Sequence, residues 1–285
     1  MNTRIAVAQI DVRVGDVDHN LNLHVKYARD AIAKNARIII FPELSLTGYS
    51  LRDLVYDVTQ TTYRDNPNFN ELLSLSKDIY IIAGGVEETR RFKLHNAAFL
   101  FAGGKMQVIH RKIYLPTYGM FEENRYFLPG TSVRSFDTPA GRWGTLICED
   151  FWHLAMPYLI ALDGADIIAG LAASPTRLGG DQSGEPAVAE VNMEHHKTYA
   201  RLLSSYVIFC NRVGFEDGIS FWGGSCIIGP DGTIVEQAPF FDDAVIYADI
   251  LQNEIKHARR NSRHALDERP EFVMKELERI DRSRH

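Results

Sequence analysis

Short, continuous apolar runs recur along this chain at residues 38–41, 79–83, 143–147, 167–171 and 206–210, and they constrain its fold more than any other feature. A run of four to six apolar or small residues with no polar alternation reads as a strand covered on both faces, the situation in a sheet flanked by helices. Helical spacing falls between them. Leu21, Val25, Ala28 and Ile32 follow a capping Asp18, and further helices are predicted near residues 68–77, 153–162 and 187–203. Other strand-like runs are residues 4–9, 225–228, 233–236 and 245–250, with a pair at 96–101 and 105–110 turning on Gly103-Gly104. Gly84-Gly85 is expected to end the run before it. The pattern predicts an α/β fold of sheets with helices packed outside.

The chain has 285 residues, 45% of them hydrophobic and 24% charged, enough apolar material for one large core. No repeat or linker interrupts it, so residues 1–285 read as a single domain. From Glu254 onward the charge density rises. This tail, residues 254–285, is read either as solvated or as packing at a subunit interface. The formal net charge of −6, with basic residues scattered ahead of the tail, gives no footprint for nucleic acid. No apolar stretch approaches the length of a membrane span, and MNTRIAVAQI reads as a strand rather than an export signal, so a cytoplasmic protein with no membrane partner is expected. Cys148, Cys210 and Cys226 are odd in number and lack CxxC spacing, which points to reduced thiols rather than disulfides or zinc.

Glu43, Lys112 and Cys148 each fall immediately beyond a predicted strand, where α/β folds place ligand-binding groups. A cysteine after an apolar strand is commonly a small buried hydrophobe, a reading that suits Cys210 and Cys226. Cys148 differs, because Glu149-Asp150-Phe151-Trp152 and a predicted helix follow it, as on a tight strand-to-helix turn. An ammonium such as Lys112 and a helix N-terminus both favour the thiolate that attacks a carbonyl. Lys112 and the Glu149 N–H could then stabilise the oxyanion, with Glu43 shuttling protons. Taken alone, Glu43 is equally readable as a surface carboxylate at a loop start. His195 and His196 are adjacent on a predicted helix and, with His153, lack HExxH spacing, so no metal is expected. The absence of GxxxxGK[ST] and GxGxxG gives no support for ATP or NAD, and no cofactor is expected.

Three segments, IIIFPELSLTGY, VIHRKIYLPTYGMFEENRYFLPG and WGTLICEDFW, resemble the Glu, Lys and Cys blocks of the nitrilase superfamily of carbon–nitrogen hydrolases, in the family's order. AVAQIDVRVGDVDHNL, NRVGFEDG, GGSCIIGPDG and SRHALDERPEF are similar too, so the likeness extends over nearly the whole chain. The resemblance implies a four-layer αββα sandwich that pairs into a homodimer or larger assembly, often through the C-terminal tail. It also implies Glu43 as general base, Lys112 as oxyanion stabiliser, Cys148 as nucleophile and Glu123 as a second glutamate, with Glu122 as the fallback. Within the family, CED, LPTYGMFEENRYF and AASPTRLGG resemble the glutamine-hydrolysing domain of glutamine-dependent NAD synthetase. No ATP-binding domain follows, so the chain is not expected to make NAD by itself. The predicted activity is hydrolysis of a small amide to acid and ammonia. A glutaminase subunit serving a separate synthetase, an N-carbamoyl amide hydrolase, a nitrilase and a silent binding module are the alternatives. Tyr49, Tyr118, Glu149, Ser174 and Arg177 are candidate substrate contacts by motif position, Arg177 as a carboxylate clamp; packing and surface pairing are the competing roles.

Overall fold

The apolar runs form the centres of two sheets in the computed structural model, which describes residues 2–176 and 187–284. In the first sheet, β1 (Asn2–Gln9), β2 (Ile38–Ile40) and β4 (Tyr80–Glu88) lie parallel, and β3 (Gln60–Thr61) also pairs with β4. The hairpin β5 (Leu94–Ala102) and β6 (Lys105–Arg111) extends it on one side, and β16 (Ala244–Leu251) pairs antiparallel with β1 on the other. In the second sheet, β8 (Gly141–Ile147), β9 (Ile167–Ala172) and β11 (Tyr206–Asn211) are the parallel centre. Its antiparallel edges are β7 (Ser135–Thr138) on one side and β14 (Cys226–Ile228) with β15 (Ile234–Gln237) on the other. A small third sheet joins β10 (Pro175–Thr176), β13 (Ile219–Trp222) and β12 (Val213–Glu216).

Both faces of each large sheet are covered, which explains why their central strands read as unbroken apolar runs. Ile5, Val7, Ile38, Ile40 and Ile82 of the first sheet meet Trp143, Ile147, Ile167, Leu171 and Ile208 of the second in one buried cluster. The outer face of the first sheet packs on α1 (Val17–Ala33) and α2 (Asn70–Leu75) through Val25, Ala28 and Leu72. The outer face of the second packs on α4 (Ala155–Leu162) and α5 (Ala187–Leu203) through Met156, Ile160 and Ala200. The result is the four-layer αββα sandwich; α3 (Glu123–Tyr126) is a single turn outside these layers. Each large apolar side chain taken from water into these interiors contributes about 1.5–3 kcal/mol.

Two local expectations are corrected and one element goes unforeseen. Asp16 rather than Asp18 caps α1, its carboxylate accepting the His19 N–H at 3.1 Å, while Asp18 sits in the first turn, where the helix dipole favours it. Gly84-Gly85 does not end a strand, because β4 runs through both to Glu88. Gly84 is there for close approach: a Cβ would lie 2.5 Å from both the Leu44 nitrogen and the Pro42 oxygen, so the Glu43 loop rests directly on it. Finally, the hairpin β12–β13 goes unpredicted although Asp217-Gly218, with φ of 48° and 83°, is a strong hairpin-turn dipeptide. The charged tail folds as α6 (Gln252–Asn261) and α7 (Pro270–Ser283); Ile255 of α6 is buried, whereas Phe272, Met274 and Leu277 of α7 are exposed. Among the described residues no helix is long and apolar enough to cross a membrane.

Candidate active site

Four sequence-predicted residues come from four separate strand ends or loops and meet between the two sheets. Glu43 follows β2, and its loop is laced down: Ser45 Oγ accepts the Gly84 N–H at 3.2 Å and pairs with His24 Nε2 of α1 at 2.9 Å. Lys112 follows β6, its N–H donating to the Asn96 carbonyl of β5 at 2.9 Å. Glu123 opens α3. Cys148 follows β8 with φ of 44°, a left-handed conformation unusual for a residue with a side chain, and begins a single 3-10 turn through Trp152. Holding such a conformation costs about 1–3 kcal/mol and needs surroundings that over-determine it.

Asp150 supplies part of that hold. Its buried carboxylate accepts the Ile147 N–H at 3.1 Å ahead of the cysteine, and the Ile113 and Tyr114 N–H groups at 3.1 and 3.0 Å just past Lys112. One side chain thereby fixes the turn of Cys148 against the segment of Lys112. Phe151 packs onto β9 where Gly170 leaves room, since a Cβ there would come within 2.5 Å of its ring.

The charged centre is compact. Lys112 Nζ donates to Glu43 Oε1 and Glu123 Oε1, both at 2.7 Å, and all three residues are at most 4% exposed. Asn96 Nδ2 donates to Glu43 Oε1 at 2.7 Å and to Glu123 Oε2 at 3.4 Å, and the Ala173 N–H donates to Glu43 Oε2 at 2.9 Å. Tyr49 donates its hydroxyl to Glu123 Oε1 at 2.5 Å. An ammonium has three donors and a carboxylate about four acceptor directions, so among the described residues Lys112 retains one N–H and Glu43 one lone pair beyond these partners. Asn96 is the member sequence reading missed; the signal for it was a polar residue, with His95, leading into the apolar run of β5.

Electrostatics assign the resting protons. Burial pushes the Cys148 thiol well up, the Glu43 carboxylate adds to that, and Lys112 only partly opposes it, so the cysteine rests as a neutral thiol. Lys112 favours the thiolate, as expected, but only in part, because its charge is already shared by two carboxylates. Burial alone would pull Lys112 down, but Glu123 and Glu43 outweigh it and keep the ammonium charged. Burial raises Glu123, with Lys112 opposing and Glu43 reinforcing the rise. Attack by Cys148 therefore requires a base, and Glu43 has the free lone pair.

Tyr49 is turned toward Glu123, as described. Tyr118 donates to Glu149 Oε2 at 2.7 Å, one residue after the cysteine, and Glu149 Oε1 lies 3.8 Å from His153 Nε2. Ser174 Oγ accepts the Trp222 indole N–H at 3.0 Å, and its own N–H donates to Asn211 Oδ1 at 2.8 Å. Arg177 lies outside the described residues. His196 is buried edge-on against Phe151, His195 sits edge-on to Trp152, and His153 stacks on Tyr114, so each of these histidines is in aromatic contact. Cys210 and Cys226 are buried, whereas Cys148 is partly exposed.

Comparison with known proteins adds four findings. Residues 4–260 match the family model described as Carbon-nitrogen hydrolase. The chain is 30% identical over 271 residues to a glutamine-dependent NAD(+) synthetase of Acinetobacter baylyi, covering 93% of this chain but 47% of that protein, so it spans about half the length of such relatives. It is 26% identical over 291 residues to an N-carbamoylputrescine amidase of Oryza sativa subsp. japonica, covering 95% of this chain and 93% of that one. Among solved structures, a mutant amidase from Nesterenkonia sp. AN1, with the acetamide moiety of fluoroacetamide added to its active-site cysteine, aligns with a TM-score of 0.78 at 22% identity, over 96% of each chain.

Proposed function

The chain belongs to the carbon-nitrogen hydrolase family, and from that premise we propose that it hydrolyses a small amide to a carboxylic acid and ammonia through a thioester on Cys148. The observation that carries this reading is the Lys112 ammonium held at 2.7 Å from both Glu43 and Glu123 beside a neutral, left-handed Cys148. Glu43 takes the thiol proton as sulfur bonds to the amide carbon. The remaining N–H of Lys112 and the N–H of Glu149 receive the oxyanion. Glu43 returns the proton to the departing nitrogen as the C–N bond breaks. Water then attacks the thioester as Glu43 takes its proton, and when the S–C bond breaks Glu43 returns that proton to the sulfur, restoring the thiol and releasing the acid. Glu123 keeps Lys112 charged and placed throughout.

Glu149, with Tyr118 on one oxygen, supports recognition of a substrate ammonium, and Ser174, with Trp222 donating to its oxygen, keeps its hydroxyl proton to offer. These favour an amino-acid-like amide. The synthetase relatives support a glutaminase that passes ammonia to a synthetase, and the plant amidase supports an N-carbamoyl substrate. The exposed apolar residues of α7 support self-association of the tail into a homodimer, which light scattering would test by mass. A cytoplasmic location belongs to the same proposal. Ammonia release from glutamine, asparagine, ω-amides, N-carbamoyl compounds, aliphatic amides and nitriles tests the substrate class. Turnover of at least one amide, abolished in C148A, is expected; wild-type turnover by C148A would overturn the nucleophile.

A further inference from the structure

A second buried ion cluster stands beside the site. Arg212, directly after β11, is fully buried and pairs with Glu216 of β12, while its other nitrogens reach Val12 O at 3.0 Å, Val213 O at 3.2 Å and Asp11 Oδ1 at 3.4 Å. Its guanidinium lies 4.3 Å from the Phe221 ring centroid. Glu216 uses its second oxygen on a different element: Oε2 accepts the N–H groups of Tyr49 at 3.1 Å and Ser50 at 2.9 Å. Gly48 allows this approach, because φ is 82° and a Cβ would collide with the Val14 backbone and come 3.1 Å from Glu216 Oε1. The Tyr49 ring is then wedged edge-on against Phe221 and Phe121, at centroid distances of 6.1 and 6.2 Å, and its hydroxyl arrives at Glu123. Direct contacts thus run from Arg212 through Glu216 and Tyr49 to Glu123 and Lys112.

We propose that Arg212 and Glu216 are positioning residues for the reaction: by gripping the main chain of Tyr49 they hold its hydroxyl on Glu123 and so set how Lys112 is shared between Glu123 and Glu43. The inference rests on the amide-hydrolysis reading of this site. Its logic is a proton inventory. The groups facing Glu123 are Lys112 after β6, Glu43 after β2 and Tyr49 from the loop, with uncharged Asn96 on β5, and the Glu123 charge is felt in turn by Cys148 at its turn. The Tyr49 hydrogen bond favours the ionised form of Glu123. Without it Glu123 takes up a proton at higher pH, Lys112 leans wholly on Glu43, and Glu43 becomes a poorer base.

The test uses Y49F, E216A and the double variant, with kcat and KM measured against pH on the best amide of the panel. In parallel, iodoacetamide alkylation of Cys148 is followed against pH by intact mass, a readout independent of any substrate. A hydrogen bond to a charged group implies that each single variant loses about tenfold to a hundredfold in kcat, with KM within about twofold. The acid limb of kcat moves to higher pH, the alkylation profile moves to lower pH because a neutral Glu123 no longer raises the thiol, and the double variant is no worse than Y49F. Should E216A fail to fold by circular dichroism, R212K, which retains the charge but not the fork, carries the same comparison with a smaller shift. Multiplicative losses in the double variant, or an unmoved alkylation profile in folded variants, would overturn the proposal. If wild type turns over no amide while the alkylation shift is present, the amide reading fails and the positioning role stands.

Discussion

Lys112 and Arg212 are both buried cations held by two carboxylates, yet their surroundings divide them into chemistry and scaffold. The guanidinium of Arg212 spends its nitrogens on Glu216, Asp11 and two backbone carbonyls. Lys112 gives two of its three N–H groups to Glu43 and Glu123, and a partly exposed thiol stands within the reach of the same charges. Burial and charge pairing are common to the two clusters. Unused hydrogen-bonding capacity beside a reactive atom is what separates them.

The contrast breaks most readily at Glu43. E43Q removes the proton acceptor while preserving shape, so kcat should fall by about 10³–10⁴, toward the upper range for a general base, with the melting temperature little changed. Retained kcat would move the base elsewhere. K112M removes the oxyanion donor and should cost about 10²–10³ in kcat; a loss confined to KM would make Lys112 a substrate anchor instead. R212M should add a loss on the other axis to the kcat loss its positioning role implies, lowering unfolding free energy in urea by about 3–5 kcal/mol as Glu216 is left buried without its cation. Unchanged stability there would erase the distinction between scaffold and site.

Acid pH sharpens the comparison, because buried histidines lie under the catalytic elements. Burial pulls His24, beneath the Glu43 loop, down to about 4, and His196, against Phe151, down to about 3, from an ordinary 6.5. Both are depressed on folding, so their contribution is complete above pH 6.5 and drains away as pH falls toward those values. Each can cost about 1.4 kcal/mol per pH unit within its window. Urea midpoints should therefore drop between pH 6.5 and 4, and H196F should flatten the slope; an identical slope in H196F would exclude His196. The smallest effect belongs to the exposed Arg52–Asp217 pair, 2.5 Å apart. D217N should change stability by less than about 1 kcal/mol, and a larger loss would tie this surface pair to the Arg212 hairpin.

The legible part of the site lay where chain direction and chemistry coincide: Glu43, Lys112 and Cys148 each ended a readable strand. Glu123 entered through the family pattern, since nothing in FEENRYF marks one glutamate for burial. Asn96, Asp150 and Gly84 act through partners distant in sequence, Glu43, Ile113 and Leu44 among them. Apolar periodicity reports which face a residue occupies and is silent about such partners, so Gly84 read as a strand terminator when it is a seat for the Glu43 loop. The sharing of the Lys112 charge was hidden for the same reason: its two carboxylates converge only in three dimensions.

The resting proton on Cys148 is the most direct test of this electrostatic arrangement. Thiolate absorbance at 240 nm, taken as wild type minus C148A across pH, should stay flat through neutrality and rise only above the ordinary cysteine range of about 8.5. A thiolate step below pH 7 would contradict it and make Lys112, not Glu43, the group that activates the sulfur.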